Sequence, residues 1–180
     1  MSTIARLRHA AATVLIVATM GTIHGFAMSG AKPTDPQIAH IAYTAGDIDI
    51  RNAELALSKS SNKEVRSFAD DMVRDHTAVN DRVLALVKKL NVTPQDNPTS
   101  QYLVQQQEAE RSKLNALSGA AFDKAYVANE VAYHLTMKGA LEATLIPSSQ
   151  NPELQDLLQS GLKIFKEHEE HAEHLMMSLK

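Results

Sequence analysis

The chain has 180 residues, no Cys, no Trp and a formal charge of −3. That length suits one domain with one good core, and the missing Cys excludes disulfide frameworks, thiolate metal sites, iron–sulfur clusters and Cys nucleophiles. A pI near 6.2 argues against nucleic acid as a partner, because phosphate binding wants a basic face.

The first thirty-one residues read as an export signal. Arg6 and Arg8 precede an uncharged run, AAATVLIVATMGTI at 10–23, which has signal-core length and is short for a membrane span. Small residues then offer cleavage ends near Ala27 or Ala31. Loss of residues 1–31 removes two Arg and no acid, moving the charge from −3 to −5. The expected product is a periplasmic domain, residues 32–180, without a stable membrane span, and a Cys-free chain needs no oxidation to fold.

Helical signals fill the rest. Thr34-Asp35-Pro36 is a cap followed by Pro at the first helical position. Ile38, Ala42, Ala45, Asp49, Asn52 and Ala56 follow at helical spacing to about Ser60. Ser61-Asn62 turns the chain into a second helix with Val65, Ala69, Met72, His76, Val79, Val83, Leu86 and Leu90, ended by Asn91 and Pro94. Residues 91–99 read as a loop, and Ser100 to about Leu117 as a weaker Gln/Glu-rich helix broken by Ser118-Gly119. A third long helix runs from Ala120 to Leu145, then a turn at Pro147–Asn151. A fourth runs from Pro152 to about Met177, with Leu154, Leu158, Leu162, Phe165, His168, Ala172 and Leu175 on its stripe.

Helices of ~25 residues are about 38 Å long, and a bundle buries four such stripes in one domain. The second and third are joined by a segment far too long for a tight hairpin. One long crossover between two hairpins is the ferritin-like arrangement. The expected fold is therefore all-α, a ferritin-like four-helix bundle with a crossover helix.

One polar residue interrupts each stripe: Asp49, His76, His134 and His168. At 1.5 Å per residue, His76 and His134 lie ~22 Å from their hairpin turns, Asp49 ~18 Å and His168 ~28 Å. All four fall near mid-height. Three imidazoles and a carboxylate make a ligand set for Zn, Cu or Fe; a metal-free hydrogen-bonded network is the alternative. Glu130, one turn before His134, is open to three readings: a further ligand, an acceptor behind the histidine, or a solvent-facing residue, the usual place for Glu. Asp75 either orients His76's surroundings or is a surface acid. His171 and His174 in EHEEHAEH (167–174) read as a solvated helix end, Met176-Met177 as core filling, and Tyr43, Tyr126 and Tyr133 as core-rim residues with wet hydroxyls.

The mature chain resembles, over about 36–177, a bacterial ferritin-like family known only as a domain of unknown function and labelled "predicted outer membrane protein". The resemblance is carried by LALSKSSNKEVRSFADDMVRDH (55–76), LSGAAFDKAY (117–126) with His134 following, and FKEH (165–168). The family's first-helix acid, usually Glu, falls on Asp49. Its Asp-His pair falls on Asp75-His76, its Phe-Asp-x-x-Tyr on Phe122, Asp123 and Tyr126, and its later histidines on His134 and His168. Leu162-Lys163 stands where the family usually has Leu-Pro. The resemblance implies a ferritin-like fold and export, but no activity.

The chain has no alternating ten-residue strands that would build a barrel. Nor does it have a Glu-x-x-His, which argues against a carboxylate-bridged di-iron site. P-loop, dinucleotide, G-x-S-x-G and H-E-x-x-H signatures are absent as well. The sequence thus points first to an exported metal-binding protein, in metal handling or envelope stress, and last to an oxidase or peroxidase, for which nothing in the chain specifies an open position, a substrate or a general base. The alternative is an envelope interaction or stress protein with a metal-free polar cluster and a protein partner or a second copy of itself.

Overall fold

The computed structural model describes residues 32–179. The export-signal reading lies outside them. Helix α1 spans Asp35–Lys59, α2 Lys63–Lys89, α3 Pro98–Asn115, α4 Gly119–Ala140 and α6 Pro152–Ser178; a π-helical turn, Leu141–Leu145, and the single turn α5, Ile146–Ser148, prolong α4. No strand occurs among the described residues. The fold is an all-α bundle of four long helices, with α3 as the crossover.

Local chemistry sets the boundaries. Asn62 caps α2 by accepting from the backbone N–H groups of Glu64 and Val65. Asn91 stops it: at φ 51° it takes the left-handed position. Its N–H donates to the Lys88 carbonyl, and that of Val92 to Val87, which closes the last turn. Asn97 caps α3, with Pro98 at its first position, two residues before the sequence expectation. The π-turn departs from the expected plain helix. Pro147 has no N–H to give the Ala143 carbonyl, and in the widened turn Ile146 donates to Leu141 five residues back.

Helices α1 and α2 form one hairpin, α4 and α6 the other; α2 lies on α6, and α1 on α4. The crossover α3 runs along α1 over its whole length. Asn97 donates to the Gln37 carbonyl near the start of α1, Asn52 to Gln107 midway, and Lys59 to the Asn115 carbonyl at the far end. Asp35 accepts from the backbone N–H groups of Gln150 and Asn151, both at 2.8 Å, tying the start of α1 to the turn before α6. At Gly46 helix α1 lies tight against α2: an added Cβ would lie 2.4 Å from Asn80 Oδ1.

Two apolar clusters fill the core. One gathers Ile38, Ile41, Val83, Met137, Leu145 and Leu158 towards one end. The other gathers Ala53, Phe68, Met72, Phe122, Tyr126 and Ala172 towards the other. Between them, at mid-height, the four long helices present polar side chains. Each stripe carries its polar residue about half-way along, which is where the levels worked out from the sequence meet.

Candidate metal centre

The layer holds five buried titratable groups: Asp49 from α1, His76 from α2, Glu130 and His134 from α4, and His168 from α6. Their exposures are 0, 1, 0, 0 and 6%. The three imidazole rings surround one another, with centroids 5.8 Å apart for His76–His134, 5.2 Å for His76–His168 and 5.6 Å for His134–His168. Phe165 packs against His76 and His134, 5.1 Å from each centroid, and holds both rings.

The fold brings together all four residues predicted from the sequence. His76, His134 and His168 each offer one ligand atom within 4.8 Å of the others; so do Asp49, Glu130 and His134. His76 Nε2 stands 3.3 Å from Asp49 Oδ2 and 3.3 Å from His168 Nδ1. Two ligands on a tetrahedral ion, each ~2.05 Å from it, are about 3.3–3.4 Å apart, so these two separations are of the right size, while the other pairs lie within 4.8 Å in two triads that share His134. These groups could hold a metal ion.

Of the three readings open for Glu130, the solvent-facing one is overturned. The side chain is fully buried, 3.7 Å by its Oε2 from His134 Nδ1 and 3.3 Å by its Oε1 from Asn129 Nδ2. The available signal was its position four residues before His134, which puts both side chains on one helix face. Tyr126 and Tyr133 are corrected likewise. Both are buried, and the Tyr133 hydroxyl donates to the Ala45 carbonyl at 3.1 Å rather than to water. Met176 and Met177 are exposed, 38% and 74%, and fill no core. His171 and His174 are exposed, as expected of a solvated helix end, with the His171 ring edge-on to Phe68.

Asp75 is the orienting acid of the two readings, and the residue it orients is His168. Its Oδ2 lies 3.1 Å from His168 Nε2, while Arg74 grips it with Nε at 2.8 Å and Nη2 at 2.9 Å. His134 is oriented differently: its Nδ1 lies 2.8 Å from the backbone carbonyl of Glu130.

Electrostatics keep the histidines neutral. Burial pushes His134 down to about 3 and His76 well below its usual value, with the neighbouring imidazoles adding to it. Burial lowers His168 too, against the pull of Asp75. The carboxyls move the other way. Burial raises Glu130 to about 8, and burial with the nearby Glu130 raises Asp49. Two carboxylates this close and this dry cannot both ionise unless a positive charge joins them. Several acceptor atoms of the layer have no hydrogen-bond partner: both Asp49 oxygens, Glu130 Oε2 and His134 Nε2. The Asp49–His76 approach is close but not aligned as a hydrogen bond. A proton held between Asp49 and Glu130 would pair some of these acceptors; each buried acceptor left orphaned costs about 1–3 kcal/mol.

The chain matches the model of the family described as a domain of unknown function, DUF4142, over residues 24–175. It belongs to that family. Comparison with curated proteins gives no match, and neither does comparison with solved structures. No helix among the described residues is long and apolar enough to cross a membrane.

Proposed function

We propose that this DUF4142 protein is an exported, ferritin-like metal-binding protein that holds one transition-metal ion at mid-bundle. His76, His134 and His168 supply nitrogen, Asp49 supplies a carboxylate, and Glu130 stands beside them as a further oxygen. The observation that carries the reading is the group of buried acceptors without hydrogens to accept, gathered where three neutral imidazoles meet. Nitrogen-rich donors favour Zn, Cu or Fe over Mg or Ca. Charge points to a single ion: two carboxylates neutralise one divalent cation, whereas a second would leave a buried excess of two positive charges. The cellular role consistent with such a site is metal handling or envelope stress.

The test is elemental analysis of the full chain, expressed for export and purified from the periplasm without an affinity tag, together with its intact mass. About one metal per chain is expected, with a melt lowered by chelator, since a ligand of the native state stabilises it. His76→Ala with His134→Ala should abolish binding; stoichiometric metal in that double variant would overturn the ligand assignment.

A second reading is a metal-free polar layer that fixes helix register in an envelope interaction protein. It is favoured by the hydrogen bonds that His168 makes at both nitrogens, to His76 and to Asp75. It requires a metal-free protein, after reconstitution as well as on isolation, and a melt unmoved by chelator.

A further inference from the structure

We infer that Asp75 is a positioning residue that fixes the tautomer of His168, so that this imidazole turns Nδ1 to the centre while His134 turns Nε2. The consequence for metal affinity rests on the function proposed above; the lock itself belongs to the metal-free chain.

The argument starts from what each partner can do. A carboxylate accepts hydrogen bonds and cannot donate them. Asp75 is held by both contacts to Arg74, which also reaches Asp71. The His168 nitrogen facing it at 3.1 Å, Nε2, must therefore carry the hydrogen. A neutral imidazole has only one, so Nδ1 keeps a lone pair, and Nδ1 is the atom 3.3 Å from His76 Nε2. Turning the ring half-way round would put carbon where both nitrogens now stand and break both contacts.

His134 reaches the same result by the other tautomer. Its Nδ1 meets the Glu130 carbonyl at 2.8 Å, another group that only accepts, and Nε2 is left without a hydrogen-bond partner. Adjacent positions on α2 make the device. His76 points into the bundle, and Asp75, about 100° round the helix, reaches across to α6. One histidine is thus locked by a backbone carbonyl, which no side-chain substitution removes, and the other by a half-exposed side chain that can be exchanged without opening the core.

The experiment uses the full chain, treated with chelator and labelled with 15N-histidine, as wild type, Asp75→Ala and Asp75→Asn. NMR reads the tautomer of His168, and zinc in competition with a chromophoric chelator reads affinity. The wild type should show hydrogen on His168 Nε2 alone. Asp75→Ala should show a mixture of tautomers and a zinc affinity about 10–100-fold lower, the usual effect of losing an acceptor behind a ligating histidine. Asp75→Asn keeps an acceptor and should recover most of both. An unchanged tautomer with unchanged affinity in Asp75→Ala overturns the inference and leaves zinc binding intact. A tautomer mixture in Asp75→Ala, in a protein that takes up no zinc in any form, supports the lock and overturns the metal reading instead.

Discussion

Replacing Glu130 by Gln separates the metal-free chain from the metal-bound one, because the sign of the effect should reverse. The fully buried Glu130 carboxyl titrates at about 8 in the fold, against 4.5 for the ordinary side chain. An acid raised in this way adds stability that is complete below pH 4.5 and is lost as pH rises through 8. The loss is 1.36 kcal/mol per pH unit within that window. At pH 5 little has been lost, and by pH 7.5 the loss is on the order of 4 kcal/mol. Gln has nearly the same shape and does not titrate. In chelator, Glu130→Gln should match the wild type at pH 5 and exceed it by about 3 kcal/mol more at pH 7.5. For a domain of this size that is about 6–12 °C in Tm, readable by circular dichroism. With saturating zinc the order should invert, because the ion then lacks one of the two carboxylates that neutralise it. A difference between variant and wild type that stays flat from pH 5 to 7.5 in chelator would refute the reasoning.

His134 sets an opposite slope. Its folded-state value of about 3 against 6.5 means stability that is present above 6.5 and lost as pH falls towards 3. In chelator, His134→Leu should therefore gain about 2 kcal/mol on the wild type between pH 7 and pH 5, measured by urea midpoints at each pH. At the α1–α2 contact, Gly46→Ala drives a Cβ to 2.4 Å from Asn80 Oδ1 and should cost about 1–3 kcal/mol. Adding Asn80→Ala should recover part of that loss, whereas a cost that persists undiminished would point to the backbone rather than to this clash.

Much of this was legible in the sequence, and the reasons differ by element. The cap of α2 at Asn62 and the Pro starts of α1 and α6 are local chemistry, so their positions followed directly. The mid-height meeting of Asp49, His76, His134 and His168 followed from a rise of 1.5 Å per residue and two hairpins. The π-turn at Leu141–Leu145 did not, because a single widened turn leaves the apolar spacing almost unchanged. Glu130 was left undecided between the site and solvent for another reason. Solvation of a lone Glu normally outweighs anything the core can offer, and only the company of Asp49 and three imidazoles, brought in from other helices, changes that balance. Asp75 needed tertiary structure as well: its partner is ninety-three residues away on α6.

The direction of the donors and acceptors bears on the choice between an ion site and a register device. A layer that only fixed register would be most stable with its donors and acceptors paired inside it. Here the pairing is turned outwards. His168 gives its hydrogen to Asp75 and His134 gives its own to the Glu130 carbonyl, while Asp49, Glu130 Oε2 and His134 Nε2 are left as unpaired acceptors. The inward donor that remains is His76 Nε2, set between His168 Nδ1 and Asp49 Oδ2. Such a layer is short of positive charge. A proton on the carboxyl pair supplies it in the metal-free chain, which is what an acid titrating at about 8 signifies. A divalent ion would supply it more fully, by meeting both carboxylates and the lone pairs of His168 Nδ1 and His134 Nε2, and that of His76 Nε2 once its hydrogen has moved to Nδ1. Proton and metal then compete for one place, and burial, which penalises a charge of either sign, is what raises the carboxyls and lowers the imidazoles.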